Sequence, residues 1–392
     1  MNIIFIGTLC PPNLYEECCD KHYLFDSAST ALQKSVIKGF GANVKLTISF
    51  PNILASDKKV LEEERYKEDS INNISVKCIN VPGVKQIISP YFANKHINNL
   101  DFVPDVVFVY AIQSHTLKIA SLIKHKFPHC KVILMIPDLA EFMSSNTSFL
   151  YLQMKKLESK IVNKYLKIVD GYVLLSEFMT ERLPIKPKPY IVVEGIWSGH
   201  CEVKNQRDIV SNDKFKILYS GTLALRYGIS TLVEAFRLLQ NKDLELIICG
   251  KGDGEEYVKK TAAIDTRIKY LGQLTRNEVL DLQTKVNLLV NPRSSEGEFT
   301  KYSFPSKTIE YLASGTPTLL CKLPAIPREY YKHCFAIDDM TPICLKNAIN
   351  SIYNKPKREL VKYGLDAQKF IFEEKNIRKQ GNRILSFIKS IN

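Results

Sequence analysis

The chain has 392 residues, too many for one ordinary hydrophobic core, so two domains are the first expectation. With 45% hydrophobic and 24% charged residues, its composition is that of a globular protein and excludes a disordered or fibrous chain. A formal charge of +13 favours an anionic partner: nucleic acid, an acidic membrane face or a phosphorylated ligand.

From the N-terminus, "NIIFIG" predicts a buried strand, and "STALQKSVIKGF" predicts a helix that stops at Gly41. "NVKLTISF" is a second strand, and residues 56–73 read as a polar insertion. "DVVFVYAI" leads into the helix-like "SHTLKIASLIKHK" and then the strand-like "KVILMIPDL". A lysine-rich helix is expected from about Phe149 to Ile168, followed by "GYVLLS", the helical "EFMTERL" and "YIVVEG". Residues 198–214 hold little that could build a core and read as a linker. The alternation then restarts with "FKILYSGT", "ISTLVEAFRLLQ", "LELIICGKGDG", "EEYVKKTAA", "IKYLG", "NEVLDLQTK" and "NLLVNP". The tail after Pro356 is mainly helical.

Val/Ile-rich strands separated by amphipathic helices imply parallel sheets covered on both faces. The expected α/β architecture is two Rossmann-like, doubly wound halves facing a cleft, with ligands outside the carboxyl ends of the strands. The boundaries read as 1–197 for an N-terminal Rossmann-like domain, 198–214 for the linker and 215–365 for a C-terminal Rossmann-like domain. Residues 366–392 form a helical tail that can cross back to the N-terminal domain. The ten cysteines show no zinc spacing and no disulfide framework, which suits reduced thiols in a cytosol. The leading "MNIIFIG" is too short for a signal core, and no stretch approaches the ~20 apolar residues of a membrane span.

The stretch "YSFPSKTIEYLASGTPT" (302–318) reads as a short helix leading into a strand. Pro305 suits a first turn, Ile309, Leu312 and Ala313 share one face, and Gly315 with Pro317 ends the helix. Its first-turn N–H groups, near Ser306 and Lys307, would suit an anion. Three further loops also follow strand ends: "SGTLALRYG", "CGKGDG" and "YLGQL". Their glycines allow close backbone approach, and their joint placement at one sheet edge marks a site.

These features, in this order, resemble the retaining GT-B glycosyltransferases of family 4. The resemblance covers most of residues 215–335, and the N-terminal half follows by pattern only. "FPSKTIEYLASGTP" looks like the version in enzymes that build capsular, O-antigen and lipid-linked surface polysaccharides. The resemblance implies transfer of a sugar, with retention, from a nucleotide-diphosphate sugar to a saccharide carried on a polyprenyl diphosphate. It implies no metal and no cofactor, and a cytoplasmic enzyme on the inner face of the cell membrane.

The family's ribose-binding carboxylate maps onto Glu310, with Ser306 and Lys307 beside the donor diphosphate. Gly221, Thr222, Gly250, Leu271 and Tyr302 complete the donor wall, and Gly7 and Thr8 approach from the opposite one. The family's first acid is replaced by Tyr302, with Glu296 and Glu298 as possible substitutes. Its arginine and lysine fall at Thr222 and Tyr227, so Arg226 is the expected replacement. Pro137 stands where many relatives have a histidine, and Asp138 next to it is assigned to the acceptor pocket or to a helix N-cap. Arg226, Lys307 and Asp138 are the residues given catalytic roles. His115 reads as a surface residue in a cap region.

Two other classes compete: a GT-B nucleotide-sugar epimerase, for which no acid/base set is visible, and a non-catalytic nucleotide-sugar-binding module. Nucleic-acid binding lacks any aromatic–basic recognition motif. Finally, Lys156, Lys160, Lys164 and Lys167 form a basic stripe on the lysine-rich helix, suited to an anionic membrane surface. Leu150, Met154, Leu157, Ile161 and Ile168 are expected to pack inward from another face.

Overall fold

A computed structural model of the chain describes residues 1–25, 27–54, 58–81, 83–139, 149–183, 185, 187–199 and 214–391. It divides into two compact units, Met1–Ser198 with Ile377–Asn392, and Gly199–Asn376. Residues 200–213, most of the expected linker, lie outside the described residues.

The first unit contains β1 (Ile3–Gly7), β2 (Leu24–Phe25), β3 (Val44–Ser49), β4 (Ile53–Leu54), β5 (Val60–Leu61) and β6 (Glu64–Glu68). It continues with β7 (Ile71–Ser75), β8 (Cys78–Ile79), β9 (Val106–Tyr110), β10 (Lys131–Ile136), β11 (Gly171–Leu174) and β12 (Tyr190–Val192). Its helices are α1 (Pro12–Asp20), α2 (Ser27–Phe40), α3 (Val84–Asn98), α4 (Ser114–Lys126), α5 (Phe149–Leu166) and the last helix, α13 (Ile377–Ser390).

Eight strands form one sheet in the order β12-β11-β10-β9-β1-β3-β7-β6. Strand order reverses between β1 and β9, the doubly wound arrangement. β1 and β9 are buried along their whole length, which explains their unbroken apolar sequences. Phe5 and Phe108 stack across them with ring centroids 5.6 Å apart.

The expected polar insertion is a correction to the sequence reading. Within it, β6 pairs antiparallel with β7, which joins β3 in the main sheet, so the sheet is mixed rather than wholly parallel. β6 reads ERYKE because an edge strand has one partner only, and outward charges protect its open side. The expected helix "EFMTERL" is a short 3-10 segment, Glu177–Glu181. In this unit the helices α1 and α3 were not anticipated; α3 carries Pro90 within it, a residue that argues against a helix.

α13 packs on α2 at a crossing of two glycines. A Cβ on Gly39 would lie 2.9 Å from the Cα of Gly381, so the two backbones meet directly.

The second unit contains β13 (Phe215–Ser220), β14 (Leu244–Cys249), β15 (Ile268–Tyr270), β16 (Leu288–Asn291), β17 (Thr318–Cys321) and β18 (Phe335–Ile337). Its helices are α6 (Ile229–Arg237), α7 (Glu255–Ile264), α8 (Arg276–Thr284), α9 (Phe299–Tyr302), α10 (Lys307–Ala313), α11 (Pro342–Tyr353) and α12 (Lys357–Glu374). Its sheet runs β15-β14-β13-β16-β17-β18, parallel throughout. The order reverses between β13 and β16, so a ligand crevice is expected outside the carboxyl ends of those two strands.

Candidate functional site

The loops after β13, β14 and β16 meet at this switch point, and glycine is what lets them meet. Gly228, with φ +83°, could not carry a Cβ, which would lie 2.1 Å from the Pro292 carbonyl oxygen. Gly250, with φ +134°, would place one 1.8 Å from the carbonyl oxygen of Gly221. Hydrogen bonds close the same seam: Leu223 N donates to Lys251 O at 2.8 Å, Gly254 N to Leu223 O at 2.7 Å, and Leu225 N to Asp253 Oδ1 at 2.8 Å. The sequence reading gave these glycines to close approach of a ligand. In the structure Gly228 and Gly250 serve close approach between loops, which fixes the edge on which a ligand would rest.

α10 is fastened to the end of β13. Ser220 N donates to the Tyr311 hydroxyl at 2.9 Å, and that hydroxyl donates back to Ser220 O at 3.0 Å. Burial raises the Tyr311 hydroxyl pKa, so it stays a neutral donor. Gln283 of α8, fully buried, donates through Nε2 to Glu310 Oε1 at 2.7 Å and to Ser220 Oγ at 3.2 Å. Lys307 Nζ donates to the same Glu310 oxygen at 2.7 Å. Lys307 and Glu310 therefore form an i,i+3 ion pair with a buried amide as its third member. Lys307 and Glu310 keep 34% and 18% of their side-chain surface exposed, so both remain reachable from solvent. Lys307 also lies over Gly221, its Cε 3.6 Å from where a Cβ would stand. Cys249, at the end of β14, is no nucleophile: burial pushes its thiol up to about 11 despite the opposing charge of Lys307.

Arg226 is exposed and stacks on its neighbour, with Cζ 5.0 Å from the Tyr227 ring centroid. Its guanidinium donates to the Tyr227 hydroxyl at 3.3 Å. Arg293, which the sequence reading missed, lies nearly buried beneath, with Cζ 5.5 Å from the Tyr227 ring and 4.9 Å from that of Phe299. The signal that could have found it is its place just past β16, on the second strand of the switch point. Thr222 is exposed, and its carbonyl accepts from the Tyr219 hydroxyl at 2.7 Å. Leu271 is exposed at the end of β15, and Ser306 is exposed just before α10. Tyr302 is buried, its hydroxyl 3.4 Å from Glu298 Oε1, while Glu296 and Glu298 are exposed.

Residues 202–370 match the family Glycosyl transferases group 1. The match spans every loop described above. Over the whole chain, the structure is similar to sucrose-phosphate synthase from Thermosynechococcus elongatus, at 15% identity and TM-score 0.65, with 100% of each chain covered. It is similar to Anabaena Alr3699/HepE in complex with UDP, at 14% identity and TM-score 0.67, again with 100% of each chain covered. A third similar structure, from E. coli, is described as trehalose-6-phosphate bound with UDP-2-fluoro glucose; identity is 10%, TM-score 0.67, and coverage 100% of both chains. No curated protein matches the chain by sequence. The fold is GT-B.

The N-terminal residues singled out from sequence lie outside the glycosyltransferase group 1 match. Gly7 closes β1 under Gln33, whose Oε1 would lie 2.1 Å from a Cβ there. Thr8 is tied to the same side chain, its N donating to Gln33 Oε1 at 2.8 Å and its Oγ1 accepting from Nε2 at 3.0 Å. Asp138 is exposed just past β10, and the helix it was expected to cap falls on 140–148, outside the described residues. His115 is a correction. It is buried at 2% exposure rather than a surface residue, because the start of α4 tucks against Phe50 beyond the end of β3, rings 5.2 Å apart. Burial, with a smaller push from Lys85, lowers its pKa to about 3.

The α5 stripe also needs correcting. Lys156, Lys160 and Lys164 are exposed on the helix, and Lys167 is exposed just beyond its end. Leu157 and Ile161, expected inward, are 62% and 39% exposed. The residues that face inward are Val162 and Leu166, with Glu158 turned toward Ser114 of α4. The side chains of Leu150 and Met154 lie outside the described ones.

Proposed function

We propose that the protein is a retaining, family 4-type hexosyltransferase that moves a sugar from a nucleotide-diphosphate sugar to a lipid-borne saccharide in surface polysaccharide assembly, of capsule or O-antigen type. The observation that carries this reading is the Lys307–Glu310–Gln283 cluster beside Gly221, at the switch point of the region that matches the glycosyltransferase group 1 family. Two similar structures are described with UDP or a UDP-sugar, which supports a nucleotide donor.

In this scheme Glu310 holds a ribose diol through its second oxygen, since a carboxylate can accept two vicinal hydroxyl protons. Gln283 and Lys307 fix the carboxylate in advance, which lowers the ordering cost of binding. Lys307 and Arg226 stand against the diphosphate and take the place of a metal ion. The acceptor oxygen bonds to the anomeric carbon as the carbon–phosphate oxygen bond breaks, on the same face. The departing phosphate oxygen takes the acceptor proton, so no enzymatic nucleophile is required. Positioning and charge stabilisation then carry the rate.

A screen of nucleotide sugars with a lipid-linked acceptor extract, read by mass spectrometry, tests the activity. Glu310→Gln should weaken donor binding and lower turnover while leaving the melting temperature nearly unchanged; normal turnover with full donor affinity would remove the ribose assignment. Tyr302, buried in place of the family's first acid, favours a second reading as a non-catalytic nucleotide-sugar-binding module. Donor binding without product across the whole panel would select it.

A further inference from the structure

α4 packs on β1, β9 and β10, with α3 on one side of it and α5 on the other, so the three helices form one layer over the N-terminal sheet. α3 and α4 contain no acidic residue, and α5 contains one, Glu158. That carboxylate accepts from Ser114 Oγ at 3.3 Å, within the layer. The outer face of α5 is different in kind. Lys156, Lys160, Lys164 and Lys167 point to solvent, and the aliphatic Leu157 and Ile161 stand among them. On α3, at the other margin, Ile87 and Tyr91 are 73% and 79% exposed one helical turn apart.

Solvated lysines alone are ordinary. Bare leucine and isoleucine interleaved with them are not, because each leaves apolar surface in water. Phosphate-rich nucleic acid would satisfy the lysines but offers little to aliphatic side chains. An anionic bilayer satisfies both, with lysines at the head groups and apolar side chains at the acyl boundary.

We propose that this layer docks the N-terminal unit on an anionic lipid bilayer, with the α5 lysines on the head groups and Leu157 and Ile161 entering the interface. The proposal deepens the lipid-borne acceptor suggested above, and its test uses neither donor nor acceptor, so its failure would leave the glycosyl-transfer reading standing. Each lysine held at such a surface multiplies binding about fivefold, and salt screens the effect.

The experiment is co-sedimentation of the full chain with vesicles of phosphatidylcholine alone, or of phosphatidylcholine and phosphatidylglycerol in equal parts, at low and high salt. The wild type should sediment only with the anionic vesicles, and more weakly at high salt. The variant with Lys156, Lys160, Lys164 and Lys167 all changed to Gln should lose affinity on the order of a hundredfold or more. Leu157→Ser with Ile161→Ser should weaken binding further at high salt, where the apolar contribution dominates. Because all six side chains are solvent-exposed, unchanged melting temperatures are expected and check that each variant is folded. Leu157→Trp should shift its emission to the blue on anionic vesicles, beyond any change from the native Trp197. Equal vesicle binding by wild type and the lysine variant would overturn the proposal. So would serine variants that bind vesicles as wild type does while polyuridylate displaces both equally, which would mark a general polyanion surface.

Discussion

At the carboxyl edge of the C-terminal sheet, most polar atoms around the end of β13 are matched to one another, Gln283 Oε1 excepted. Ser220 is held by Tyr311, Gln283 reaches both Ser220 and Glu310, and Lys307 completes the set. Near the ends of β3 and β9 in the N-terminal unit, His115 has both ring nitrogens, and Ser89 its hydroxyl, buried without a hydrogen-bond partner among the described residues. Lys85 is satisfied there, on the Pro51 carbonyl at 2.6 Å and Asn52 Oδ1 at 2.7 Å. One edge is a frame whose parts fix each other, with Gln283 Oε1 and Thr308 Oγ1 left over among the described residues. The other carries buried polar capacity that its own side chains do not use. A frame of the first kind suits a ligand part that never changes, such as a nucleotide diphosphate.

The sharpest way to break the frame is Gly250→Ala. Its Cβ would fall on the Gly221 carbonyl at a backbone conformation that alanine rarely adopts, so a loss of about 4 kcal/mol in unfolding free energy is expected. Denaturant unfolding measures it, and near wild-type stability would show that the loops separate freely. Next in size, Lys307→Ala should cost about 3 kcal/mol of transition-state stabilisation in kcat/KM with little change in melting temperature. Arg226→Ala should act in the same direction, and a double variant no worse than either single one would show the two cations working as a unit.

The other edge predicts the opposite sign. The folded His115 imidazole resists protonation down to about 3, against an ordinary 6.5, so below pH 6.5 the unfolded chain binds a proton that the folded chain refuses. Stability is then lost as pH falls from 6.5 towards 3. His115→Leu removes that loss and should stabilise the protein relative to wild type by about 2 kcal/mol at pH 5, with a smaller gain at pH 7. Parallel pH–stability curves for the two proteins would contradict the burial. The smallest expected effect is Tyr311→Phe, which strands the buried Ser220 amide and should cost about 1.5 kcal/mol of stability.

These contrasts follow what the sequence could and could not disclose. The inner strands β1, β3, β9, β10, β13, β14, β16 and β17 were legible because burial on two faces forces unbroken Val/Ile/Leu runs, whereas β7 and β18 went unread, and α10 was legible from proline, spacing and glycine. β6 was not, because an edge strand may be as charged as a loop. The inward face of α5 was misread because helical spacing fits more than one apolar set, and only the position of α4 selects Val162 and Leu166. Lys307 and Glu310 were visible through a motif. Gln283, the residue that steadies them, lies far off in sequence on another helix, and its only sequence trace is a glutamine at a core position. Arg293 was hidden in the same way, since an arginine in a polar loop reads as solvated until aromatic rings are seen around it.

The return of α13 to the N-terminal unit has a consequence for how the molecule is made. Synthesis proceeds from the N-terminus, yet α2 meets the helix that crosses it at Gly39 only after Gly381 has been translated. Gly171 likewise waits for Ile391, whose Cδ1 would stand 2.5 Å from a Cβ at that position. Unit 1 therefore cannot finish folding until α13 has been made, whereas every residue of Gly199–Asn376 precedes α13 in the chain. The second unit behaves as an insertion inside the first, and until α13 arrives the N-terminal unit is still missing a wall.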